Sequence, residues 1–172
     1  YPFFDGWCLD YSVPFVGGVN YTGYLYSSTE IGLLTSVDGV PSFQGAKAVR
    51  ADNLDSVNWL LNFYNGSQIS NDPALPATNG LQYTYGEVQA AIWQLMGQGF
   101  AGVTTLGAVN LGYDGTPGDY ADNHVQQLYD LALMHNGFVP TYQQKIAVIV
   151  HTVGDDGLTK QPVIIETFAA RL

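Results

Sequence analysis

The sequence predicts an α+β domain with strands at both ends and helices between them. Three observations carry that reading. The C-terminal region holds two strongly apolar runs of strand length, 145–150 and 162–168, on either side of the turn Gly154-Asp155-Asp156-Gly157. The middle of the chain shows apolar residues at helical spacing three times over. Residues 3–50 are rich in aromatics and punctuated by glycine, as short strands and turns are. With 172 residues, the chain is one domain, able to bury roughly 70% of the surface of its unfolded form. No internal repeat, low-complexity tract or charge block divides it.

The elements follow in order. Gly17-Gly18 is a turn, and Tyr21, Tyr24, Leu25 and Tyr26 mark a short strand after it. Leu54, Val57, Leu60, Leu61 and Tyr64 lie on one helical face, with Asn53 or Asp52 to cap its start and Gly66 its end. Asn71-Asp72-Pro73, Pro76 and Asn79-Gly80 make 67–83 a loop. Thr84 and Glu87 form a capping box ahead of Val88, Ala91, Ile92 and Leu95, and Gly97 or Gly99 closes that helix. Residues 99–118 are glycine-rich, with Asp114-Gly115 and Pro117-Gly118 as turns. A third helix runs from Asp119 or Asp122 to Asn136-Gly137, with Val125, Leu128, Tyr129 and Ala132 on its apolar face. The helical region thus spans roughly 52–137. The two apolar runs at the end pair as an antiparallel hairpin, with Gln161 where the loop enters the last strand.

Charge narrows the function. Five Lys and Arg face 15 Asp and Glu, a net charge of −10. Such a surface repels phosphate backbones and anionic lipid, so nucleic acid and membrane are poor partners, whereas amine-bearing cations are drawn in. No apolar run nears the roughly 20 residues of a membrane-spanning helix. A single cysteine, Cys8, excludes an internal disulfide framework and a multi-cysteine zinc site. The Tyr-, Gly-, Asn- and Thr-rich composition is common among extracellular β-rich modules. The opening Tyr1-Pro2-Phe3-Phe4 has no basic n-region, so the chain reads as a domain excised from a longer protein. Asn20 and Asn65 begin glycosylation sequons.

Each candidate side chain also has an ordinary reading. Cys8 alone is a small buried hydrophobe, although an unpaired extracellular thiol is unusual. His124, His135 and His151 lie in no local signature of a Cys–His nucleophile, and His135 suits a helix C-terminus, where the dipole favours an imidazolium. Asp114, Asp119 and Asp122, like Asp155-Asp156, lack EF-hand spacing and read as turn carboxylates. Gln89 and Trp93 stand four apart on one side of the second helix. Singly, Gln89 and Gln161 are ordinary amides satisfying backbone groups.

Taken together, three segments change the picture: Trp7-Cys8-Leu9, Val88-Gln89-Ala90-Ala91-Ile92-Trp93, and Lys160-Gln161-Pro162-Val163-Ile164-Ile165. In this order they resemble the thioester domains of Gram-positive surface adhesins. That family has an aromatic-or-Leu–Cys motif, then Thr-Gln-x-Ala-apolar-Trp on a helix, then Gln-x-x-apolar-apolar in a late strand. The resemblance spans nearly the whole chain, and its helix motif is the most specific part. Val88 stands where the family has Thr, Leu9 where an aromatic is common, and Lys160 where an apolar residue is usual. The resemblance implies a β-sandwich or barrel-like part with a helical insertion. It also implies an internal thioester joining Cys8 to Gln161 with loss of ammonia. Gln89, Trp93 and Trp7 would be supporting residues.

The residue types suit that chemistry. A thiol makes a good leaving group where a hydroxyl would give an inert ester, and a carboxamide can release ammonia. Holding the two in contact supplies ~7–11 kcal/mol of the barrier. Aromatic cover from Trp7 and Trp93 would exclude water. The expected target is a Lys amine on a host surface or matrix protein, in a single-turnover attachment that needs no cofactor and no metal. The expected setting is extracellular, as a monomeric unit of a multidomain, cell-wall-anchored surface protein without membrane insertion. Two other readings stay open. One is a non-covalent carbohydrate- or protein-binding module using its tyrosines, and the other a cysteine hydrolase.

Overall fold

A computed structural model describes residues 6–9, 21–30, 51–64, 85–97, 121–157, 160 and 162–169. It is an α+β fold. Strands β1 (Gly6–Cys8), β2 (Thr22–Ser27), β3 (Lys145–Val153) and β4 (Val163–Phe168) surround helices α1 (Leu54–Phe63), α2 (Tyr85–Leu95) and α3 (Ala121–Met134) in the chain. The strands form one antiparallel sheet in the order β1-β4-β3-β2. The N-terminal strand therefore lies beside the C-terminal one.

Apolar pattern explains the layering. Trp7, Ile164 and Ile149 are opposite one another across three strands, and all are buried. Burying each large apolar side chain contributes about 1.5–3 kcal/mol. Alternation puts Ala147 on the same face, and α1 packs against that face of β3. Seven of the ten residues of α1 are buried, so this helix is central rather than half-solvated. In α2 every residue from Glu87 to Trp93 is buried, a wider surface than the single face its periodicity predicts. Among the described residues, α3 shows both a buried and an exposed face: Val125, Leu128 and Ala132 are buried, while Gln126, Gln127 and Asp130 are exposed.

The termini of the elements refine the expectations. Asn53 precedes α1 but makes no capping bond there. Its Nδ2 donates instead to Leu95 O at the far end of α2, 2.7 Å away. A buried amide that closes another helix's orphan carbonyl replaces the local cap. α1 ends when buried Tyr64 turns extended, and its proposed stop, Gly66, lies outside the described residues. Gly97 follows α2 with φ +80° and Gly137 follows α3 with φ +93°, the left-handed geometry glycine permits at helix ends. The capping-box Thr84, the start of α3 at Asp119, and the sequons at Asn20 and Asn65 all lie outside the described residues. β3 runs three residues beyond the predicted 145–150, and the predicted turn follows, with Gly157 at φ +72°.

Candidate functional site around Cys8

Cys8 ends β1 at the margin of the sheet. It pairs with Val163, and the next residue, Leu9, donates its N–H to Pro162 O at 2.9 Å. Trp7 and Leu9 thus direct their main-chain groups toward β4, and those of Cys8 point the other way. An edge strand leaves such groups without a partner. Here α2 supplies one. Gln89 Oε1 accepts from Cys8 N at 2.9 Å, and Gln89 Nε2 donates to Cys8 O at 2.8 Å. The carboxamide acts as one residue of a missing strand, and it is buried. Two sequence-predicted residues, 81 positions apart, are joined this way.

Trp7 holds the same strand from its other side. Its indole Nε1 donates to Glu166 Oε1 at 2.8 Å, and Glu166 Oε2 pairs with Lys145 Nζ. Alternation turns Trp7 into the core and Cys8 to the opposite face, so Trp7 anchors β1 from beneath the cysteine. Trp93 is buried one helical turn beyond Gln89. Neither Glu166 nor Lys145 stands out in the sequence. The sole cue is opposite charge at the two ends of the predicted hairpin.

Gln161 lies outside the described residues. Its chain neighbours do not: Lys160 N donates to Thr152 O at 2.8 Å, and Pro162 O accepts from Leu9 as above.

The electrostatics are those of an unactivated thiol. Burial pushes the Cys8 thiol up and pushes His151 down. His151 is buried on the face of β3 that carries Ile149, opposite to the face of Cys8. His135 stacks on Trp59 with centroids 4.1 Å apart, and its Nδ1 lies 2.8 Å from Leu131 O. A carbonyl can only accept, so Nδ1 donates. His124 is on α3, but its side chain lies outside the described residues. Neither described histidine side chain forms the thiolate–imidazolium pair of a cysteine hydrolase.

Among the described residues no group of three His, Cys, Asp or Glu could hold a metal ion. Asp114, Asp119 and the side chain of Asp122 lie outside them. Asp156 binds Lys160. Among the described residues, too, no helix is long and apolar enough to cross a membrane. No family model, no curated protein and no solved structure matches the chain.

Proposed function

We propose that this chain is an adhesin domain of the Gram-positive thioester class, with an internal bond between Cys8 and Gln161. The observation that carries the reading is the pairing of β1 with β4. It sets Cys8 opposite Val163, two positions from Gln161 in the chain, and two positions is the repeat that returns a strand to the same face. The proposal requires the Gln161 side chain to rise on the Cys8 side of the sheet. The thiol attacks the carboxamide carbon, the C–N bond breaks, and ammonia leaves. A Lys amine of a host surface or matrix protein then displaces the Cys8 thiolate and keeps the acyl group as an amide. The process turns over once and is not enzymatic. The net charge of −10 favours encounter with cationic lysines. Gln89 keeps Cys8 in place during both steps. The setting is the outer surface of the cell, with the anchor in other segments of the protein.

The same reading includes a sandwich or barrel-like β part. Val148, Val150, Val163 and Ile165 alternate with the buried core residues and are themselves half-buried. A sheet wet on one face would carry polar residues there. Further strands over that face would account for them.

Intact mass tests the bond. Freshly purified protein should be one ammonia lighter than its sequence, and methylamine should add at position 161 while freeing one thiol. Cys8→Ala should show neither effect. An unmodified mass in fresh wild-type protein rejects the thioester. Among the described residues, the exposed Tyr24 and Tyr142 favour a non-covalent module, which predicts host binding unchanged in Cys8→Ala.

A further inference from the structure

We infer that the Asp156–Lys160 ion pair is a guard that keeps Lys160 from consuming the thioester proposed at the next position in the chain, an inference that rests on the function proposed above. A domain that reacts with lysine amines carries an amine of its own directly before Gln161. An amine tethered one residue away needs no separate encounter with the acyl group, as a free amine does.

The turn gives this side chain a defined seat. Lys160 Nζ binds Asp156 Oδ2 at 2.6 Å. The stem crosses Gly154, where a Cβ would come within 2.4 Å of Lys160 Cε and 2.7 Å of Asp156 Oδ1. The Lys160 stem thus occupies the space that a side chain at position 154 would take, and such a side chain would displace it. Lys160 N also bonds Thr152 O, which fixes the main chain at the mouth of the hairpin. An ammonium held by a carboxylate must leave it and shed a proton before it can attack. The other described lysine, Lys145, is likewise tied, to Glu166.

Released from the seat, Lys160 would follow a balanced path. Its neutral Nζ attacks the Gln161 acyl carbon, the C–S bond breaks, and the departing Cys8 sulfur takes up the proton lost by nitrogen. The product is an amide between side chains 160 and 161. It has the same mass as the thioester form but a free Cys8 thiol, and trypsin no longer cuts after residue 160.

Wild type, Asp156→Asn and the double variant Asp156→Asn/Lys160→Arg are compared by intact mass, thiol titration and tryptic mapping during storage. In Asp156→Asn the thiol should appear about two- to fivefold faster, the scale of losing one exposed ion pair, with the mass still one ammonia light. The double variant should return to the wild-type rate. The inference is overturned if Asp156→Asn decays at the wild-type rate, decays only by gaining water, or decays equally fast without Lys160. A wild-type protein that is never one ammonia light overturns the thioester itself, and the guard with it.

Discussion

Two strand ends in this molecule are finished by helix side chains instead of by neighbouring strands. At one, Gln89 of α2 binds the N–H and C=O of Cys8. At the other, Asn62 of α1 binds the N–H of Lys145 at 2.7 Å and its C=O at 2.8 Å. One turn earlier on α1, Asn58 Oδ1 accepts from Ala147 N at 2.8 Å and from Ser28 Oγ at 2.9 Å. These amides stand in for strand β2, which stops opposite Val148. The geometry is the same at both places, and the chemistry at stake is not. Lys145 begins an ordinary strand, whereas Cys8 carries the only sulfhydryl in the chain. The amide clamp is therefore a device of the fold. What distinguishes the Cys8 end is its depth: Gln89 is buried, while Asn62 is only half-buried.

That difference predicts a ranking. Gln89→Ala should have the largest effect, because it removes a buried side chain together with the partners of one main-chain donor and one acceptor. A loss of about 2–4 kcal/mol in urea denaturation is expected, along with faster alkylation of Cys8 in a thioester-free background. Asn62→Ala should cost about 1 kcal/mol, since the Asn62 side chain is itself only half-buried, and should leave Cys8 alkylation unchanged. Equal losses from the two substitutions would erase the distinction drawn here. If Asn62→Ala also exposed Cys8, the two ends would have to be one cooperative unit.

The smallest effect belongs to pH. Burial lowers the His151 pKa in the folded state below its unfolded value of about 6.5. The unfolded chain therefore binds the proton first. The stability is fully present above about pH 6.5 and is lost as pH falls through the window between the two values. His151→Gln should flatten the stability profile between about pH 7.5 and 5.5, measured by thermal melts, without altering the Gln89–Asn62 ranking. A profile that keeps its slope in the variant would assign the pH dependence elsewhere.

Much of the fold was legible from local pattern. Val125, Leu128 and Ala132 on α3 are buried as their spacing requires, and Gly97 and Gly137 occupy the left-handed positions after their helices. The runs around Ile149 and Ile164 pair through the turn that their flanking glycines announce. Asn53 misled because an amide before a helix normally bonds its own first turn, and this one bonds Leu95 instead. Trp7 misled in its role. A neighbour in sequence reads as cover for Cys8, yet one step along a strand reverses the face.

The sequence by itself determined the α+β class, the helices and the closing hairpin, because periodicity and turn chemistry act over a few residues. Its resemblance to the thioester domains also marked Cys8, Gln161, Gln89, Trp93 and Trp7 as a set, of which Gln161 lies outside the described residues. Only the tertiary structure decided that β1 lies against β4, that Gln89 completes the edge at Cys8, that Trp7 reaches Glu166, and that Lys160 folds back over Gly154. Those arrangements depend on unpaired main-chain groups and charges meeting across long loops, and a linear pattern does not encode which distant partner satisfies them.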